Sequence, residues 1–228
     1  DNEITPLNNH SEKLFRLRTE GLKVLLLATS PSANFKFLKR SLQSTEKINL
    51  SAPSPFLFQS PAGRKTIASF QIPEYDAIIL CETKPQLLPE NFFPSLIAAF
   101  KSRPQGLLIL PNFELAQFFQ SKPKLNQILP LDFSSFEISP NTKLNLELNT
   151  SHFITKKLSL DQSSSQILDQ AQINGTYFKL KKRLGQQSLL SSKQGPILSL
   201  REWQQARIAL FSSNALWQWN LKPITRQE

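Results

Sequence analysis

Residues 22–28 read Leu-Lys-Val-Leu-Leu-Leu-Ala, followed by Thr29-Ser30-Pro31. Apart from Lys23 every residue of the run is apolar, so no alternation separates a wet face from a dry one. Such a run fits a parallel strand buried on both faces. Ser30 has N-cap chemistry, and Pro31 has the geometry of a first helical position. Phe35, Leu38 and Leu42 then recur at i, i+3 and i+7, with Lys36, Lys39 and Arg40 elsewhere on the wheel. That spacing predicts an amphipathic helix. Ile48 to Leu50 predicts a second, shorter strand, and the proline-rich stretch from Pro53 to Pro61 a loop.

The unit repeats downstream. Tyr75-Asp76 leads into Ala77–Cys81, another buried strand. Pro89-Glu90 opens a helix carrying Phe93, Leu96, Ile97 and Phe100 on one face. Gly106 ends the connection, and Leu107–Leu110 is a third central strand. Asn112 caps a further helix with Leu115, Phe118 and Phe119. Alternating strands and helices predict an open, mostly parallel sheet with helices on both faces, joined by right-handed crossovers. The expected fold is therefore a three-layer α/β sandwich of flavodoxin-like type.

The second half is less regular. Leu144, Leu146 and Leu148 alternate with polar residues, as in a half-exposed strand. Ser159–Gln172 is polar and rich in Ser and Gln, either a loop or a weak helix. Tyr177–Lys182 alternates apolar and basic residues. Pro196–Leu200 and Ala206–Ser212 read as late strands, and Asn214 as the cap of a short Trp-rich helix, Ala215–Asn220. At the other end, Leu14, Phe15 and Leu17 suggest a short strand before Gly21. Residues 1–20 are thus expected to be a tail or the last strand of a preceding domain, and 21–228 the α/β domain.

Composition bounds the function. The 228 residues hold 27 Lys+Arg against 17 Asp+Glu, a net charge of +10, with 39% hydrophobic residues, as in a globular protein. One Cys and two His argue against a disulfide framework and a metal site, and no cofactor is expected. Six Gly in the whole chain leave few places for a phosphate-cradling loop. With no Met anywhere, the chain is expected to be a processed form or a part of a longer protein. No run of about 18 apolar residues and no secretory leader pattern is present.

A resemblance follows from these motifs in their order. Residues 24–42 (Val-Leu-Leu-Leu-Ala-Thr-Ser-Pro-Ser-Ala-Asn-Phe-Lys-Phe-Leu-Lys-Arg-Ser-Leu) resemble the opening strand and helix of class I glutamine amidotransferase-like domains. They are most similar to the version found in bacterial membrane proteins that often also carry a von Willebrand A-type domain. Tyr75–Leu80, Leu88-Pro89-Glu90, Ile128-Leu129-Pro130, Ser151-His152 and Arg207–Trp219 resemble later landmarks of the same domains, the last closing on Trp217-Gln218-Trp219. The resemblance covers about residues 22–222. Ala33-Asn34 departs from the family's usual aromatic-acidic pair, and Glu202–Ala206 from its usual Gly-rich approach to the late strand. The resemblance implies a part of a larger bacterial membrane protein, outside the lipid and on the periplasmic side, with other domains of that protein as partners.

True glutamine amidotransferases need a Cys on a tight strand-to-helix turn, glycines beside it, and a His with an acidic partner. By strand order that turn follows Leu110, where the sequence has Pro111-Asn112-Phe113. No Cys or Gly stands there, and Pro111 removes a backbone donor. Pro111 and Asn112 are therefore expected to mark a degenerate nucleophile turn. Cys81 ends a predicted strand and precedes Glu82. With His152 as base it would make a displaced catalytic site, and without one it is a small buried residue. A following carboxylate raises a thiol pKa, which favours the second alternative. His152, before a predicted strand at Phe153-Ile154, is either a base or a structural hydrogen-bonding group.

Lys179, Lys181, Lys182 and Arg183 form the densest basic run. With the net charge they suit an anionic membrane surface or nucleic acid. No recognised nucleic-acid-binding motif accompanies them, and strand alternation puts Phe178 and Leu180 on the opposite face, toward the core. Lysines protecting a solvated strand edge are the plainer alternative. Trp217 and Trp219 serve either as an interfacial anchor or as core packing. The expected function is a non-catalytic binding or scaffold module. The alternatives are a hydrolase or amidotransferase using Cys81 and His152, and an electrostatic binder of nucleic acid or anionic lipid.

Overall fold

The apolar run that begins at Leu22 becomes β1 (Leu22–Leu27), inside the central sheet. The computed structural model describes residues 21–153, 155 and 172–220. After β1 come α1 (Ala33–Gln43), β2 (Ile48–Ser51), α2 (Pro61–Ala68), β3 (Ala77–Cys81), α3 (Phe92–Ser102), β4 (Gln105–Leu110), α4 (Phe113–Ser121) and α5 (Pro123–Asn126). The second half holds β5 (Leu131–Asn145), β6 (Glu147–Leu148), β7 (Gln172–Lys182), β8 (Gln187–Ser192), β9 (Gly195–Trp203), β10 (Ala206–Phe211) and a 3-10 helix, Leu216–Asn220.

The central sheet has eight strands in the order β2-β1-β3-β4-β10-β9-β8-β6. The pairings from β2 to β10 are parallel, and β9, β8 and β6 then extend the sheet by antiparallel pairs. Successive residues of β1 enter opposite layers. Leu25 and Leu27 pack with Ile67 of α2, Phe92, Phe93, Leu96 and Phe100 of α3, and Leu115 and Phe119 of α4. Val24 and Leu26 pack with Phe35 and Leu38 of α1. Burying each such side chain is worth about 1.5–3 kcal/mol, which explains why the strand tolerates no polar alternation.

β5 and β7 pair antiparallel as a separate two-stranded ribbon. One end, with Leu131, Phe133, Phe178 and Leu180, joins the α3–α4 layer. The other, with Leu144, Ile173 and Tyr177, joins the α1 layer. Between them the ribbon crosses the carboxyl end of β10, where Phe178 N–H donates to the Ser212 carbonyl at 2.9 Å and Tyr177 bridges to Ser213.

The expected three-layer, mostly parallel α/β sandwich is the observed one. Details differ. Helix α1 begins at Ala33, capped by Ser32 rather than Ser30, because the Ser32 hydroxyl is the one that accepts from Phe35 N–H. The predicted Pro53–Pro61 loop contains a 3-10 turn, Pro55–Gln59, and its last proline is the first residue of α2. Leu144 and Leu146 are buried while Asn145 and Glu147 are exposed, the alternation expected of a half-exposed strand, but the stretch is split between the end of β5 and the start of β6. Phe153 is helical, so the predicted Phe153-Ile154 strand does not form there. Asn214 does not cap the final helix; its side-chain oxygen accepts from Thr176 N–H instead. The predicted strand near Leu14 lies outside the described residues, as does Ser159–Gln172 apart from Gln172, the first residue of β7.

Candidate functional site

In an open α/β sheet, ligands bind beyond the carboxyl ends of the strands, where connections leave neighbouring strands in opposite directions. Here β1 leads outward to β2 while its other neighbour, β3, leads on to β4. The crevice is thus bounded by residues following Leu27, Cys81, Leu110 and Phe211. The chain turns there through a left-handed residue. Glu82 has φ +49°, a left-handed conformation that non-glycine residues seldom adopt. Three contacts hold it. Glu82 N–H donates to the Leu110 carbonyl at 2.8 Å, its carbonyl accepts from Asn112 Nδ2 at 2.9 Å, and its Oε1 accepts from Asn34 Nδ2 at 2.7 Å.

Asn34 is the hub of this corner. It is 1% exposed. Its Nδ2 also donates to the Asn214 carbonyl at 2.7 Å, and its Oδ1 accepts from Trp217 N–H at 3.0 Å. The buried amide is therefore satisfied on both its nitrogen and its oxygen, as burial requires. The contacts tie the 3-10 helix Leu216–Asn220 across the crevice. Gln218 fastens the same segment from the other side, accepting from Asn174 N–H at 2.7 Å. Deeper, Thr83 Oγ1 donates to the Leu27 carbonyl at 3.1 Å, and Lys84 N–H donates to Thr29 Oγ1 at 2.8 Å.

Cys81 sits one residue before the corner and is fully buried. Burial first, and then the neighbouring Glu82 carboxylate, push its thiol far above the ordinary range, with a hydrogen bond to Ser32 acting the other way. A thiol so disposed stays protonated and is a poor nucleophile. His152 is not near it. With Gln187, Glu202 and Arg207, His152 lines a cavity at the amino end of β10, the opposite edge of the sheet from the carboxyl end of β3. The structure therefore brings Cys81 and Glu82 together and keeps His152 apart from both.

Pro111 and Asn112 form no tight corner. Asn112 has φ −109° and ψ −178°, extended backbone, and its Oδ1 accepts from Leu115 N–H at 2.8 Å as the N-cap of α4. The strained turn lies one strand over, at Glu82. Nothing in the sequence marks this shift, since Glu is not a residue that favours positive φ. Asn34 left a fainter trace. It stands at i−4 from Leu38 on the apolar side of α1, where a polar residue must find buried partners.

The basic run divides. Phe178 and Leu180 are buried and Lys179, Lys181 and Lys182 exposed. Lys179 pairs with Glu137 at 3.0 Å in an exposed contact. Arg183 turns inward, meeting Asp132 Oδ1 at 3.1 Å and the Asn126 carbonyl at 3.3 Å. It holds the start of β5 and does not extend the lysine surface.

Neither a protein-family model nor a curated protein matches the chain. Solved structures do. The cytoplasmic protein STM1381 from Salmonella typhimurium LT2 is 13% identical with a TM-score of 0.57, over 85% of this chain and 88% of that one. The cytoplasmic protein STM3548 from Salmonella typhimurium is 14% identical with a TM-score of 0.55, over 85% and 87%. A ThuA-like protein from Bacteroides uniformis is 12% identical with a TM-score of 0.57, over 92% and 89%. At such identities the likeness shows the fold: flavodoxin-like, class I glutamine amidotransferase-like α/β. It also corrects one expectation. Two of these neighbours are named as cytoplasmic proteins, and no helix among the described residues is long and apolar enough to cross a membrane. A periplasmic, membrane-anchored placement therefore has no support and is withdrawn.

Proposed function

We propose that this chain is a non-catalytic member of the amidotransferase-like fold, acting as a binding or scaffold module whose partners are other protein domains. One observation carries the reading. Asn34 engages Glu82, Asn214 and Trp217 together, so the crevice that would admit a substrate is spanned by the chain's own 3-10 segment. Two further features support it. The turn after β4 has Pro111-Asn112 where a nucleophile would stand. The single thiol is buried, its pKa is pushed far up, and His152, the one histidine among the described residues, lies at the opposite edge of the sheet.

Glutaminase and esterase assays on the wild-type protein test it. The expected result is turnover indistinguishable from buffer. Activity that disappears in Cys81→Ala or Glu82→Gln, while both variants remain folded, would overturn it.

A further inference from the structure

A second feature lies away from the crevice, in the layer formed by α2 and α3. There a cavity of about 260 Å3 opens between the two helices. Ile67, Ile72 and Phe92 line its walls, above Leu25 and Leu27 of β1, whose own surface is wholly covered. All five are buried core residues. The gap has a simple cause. At the mouth, α2 contributes Ala68 and α3 contributes Ser95 and Ala98, side chains too small to meet across it.

The polar groups of this cavity are few and uncommitted. Gln71, Asn91 and Ser95 line it, and none of their side chains bonds to another described residue. Asn91 is the informative one. It occupies the N-cap position of α3, where Asn ordinarily accepts from a backbone N–H, yet its side chain makes no capping bond. Its amide is left available to whatever enters. None of the lining residues carries a charge.

An apolar lining with a few convergent polar groups is the usual make-up of a small-molecule site. We infer that this cavity binds a small uncharged ring compound carrying a hydroxyl or amide group. The ring meets Phe70, Ile72 and Phe92, which keep accessible surface, and the polar substituent bonds to Asn91 or Ser95. A charged ligand is excluded because the lining offers it no counter-ion. Apart from Leu27, whose carbonyl accepts from Thr83, the site shares no residue with the Glu82 corner, and it holds whether or not that corner is catalytic.

Phenol is the probe, with benzoate as a charged ligand of the same ring, each titrated against the 15N-labelled protein by NMR. The expected result is saturable shifts for phenol at the amides of Ile67, Gln71, Ser95 and Ala98, with benzoate at least about tenfold weaker. Ser95→Leu and Ala98→Leu fill the mouth from adjacent turns of α3, and each lowers phenol affinity at least about tenfold in a folded protein. Glu82→Gln leaves phenol binding unchanged, which separates this site from the crevice. Three results overturn the inference: no saturable shift with phenol, benzoate binding as tightly as phenol, or undiminished binding in the mouth-filling variants. Should Ser95→Leu fail to fold, Ala98→Leu, at an exposed position, decides.

Discussion

Asn34 and Glu82 make one contact between them and carry unequal weight. Replacing Asn34 by Ala strands the Trp217 N–H and the Asn214 carbonyl beneath the 3-10 segment. An orphaned buried polar group costs about 1–3 kcal/mol. Asn34→Ala should therefore lose about 3 kcal/mol in urea unfolding. Glu82→Gln keeps an oxygen that accepts from Asn34 Nδ2 and keeps the backbone corner, so it should lose under about 1 kcal/mol. Equal losses would mean that the carboxylate charge, and not the amide hub, organises the corner. Glu82 also shows where local sequence preference stops being informative. A left-handed residue costs about 1–2 kcal/mol outside glycine, and it persists because Leu110, Asn112 and Asn34 grip it from three directions. Those partners come from β4, the turn after it and α1, so no window of sequence around Glu82 reveals them.

The helices and parallel strands were legible as elements because their signals are local. The runs at Leu22–Leu27 and Ala77–Cys81, the Asn112 cap and the spacing of Phe35 with Leu38 depend on residues within a few positions of one another. The ribbon was harder. β5 is 15 residues long with two interruptions in its pairing register, and interrupted register breaks the alternation by which strands are read. Its charges also differ in worth. Lys179 and Glu137 are both exposed, and such pairs contribute little. Lys179→Ala should change stability by under about 0.5 kcal/mol. Arg183→Ala removes the partly buried partner of Asp132 and a donor to Asn126, and should cost about 1–3 kcal/mol. Thermal unfolding of the two variants compares them, and an equal effect would show that Arg183 is only a surface charge.

Across the whole molecule, stability should follow pH from three groups. Asp132 feels an upward push from burial, but hydrogen bonds from Ser134 and Asn126 and the Arg183 charge bring its carboxyl below its ordinary 3.8. Its contribution is present above about pH 4 and is lost as pH falls through the lower, folded value. Cys81 and Tyr177 act at the other end. Burial raises both, Tyr177 from 10.0 to about 12. The unfolded thiol ionises from about pH 9 and the unfolded phenol from about pH 10, while the folded groups keep their protons. Stability should therefore fall as pH rises above 9. The double variant Cys81→Ser, Tyr177→Phe should flatten that alkaline limb, and Asp132→Asn the acid one. Urea midpoints across pH measure both, and an unchanged alkaline slope in the double variant would refute the assignment. What the chain determined by itself is the layered α/β plan, since hydrophobic periodicity, caps and breakers act over a turn of helix or a single strand. What only the tertiary structure decided is the character of the carboxyl edge: that the sharp corner falls on Glu82, that Pro111-Asn112 stays extended, that His152 lies at the far edge, and that Asn34 ties the last helix over the crevice. The Glu82 corner and the Asn34 tie depend on hydrogen bonds between segments as many as 183 residues apart, and the geometry of this edge exists only once the sheet has set the strands side by side.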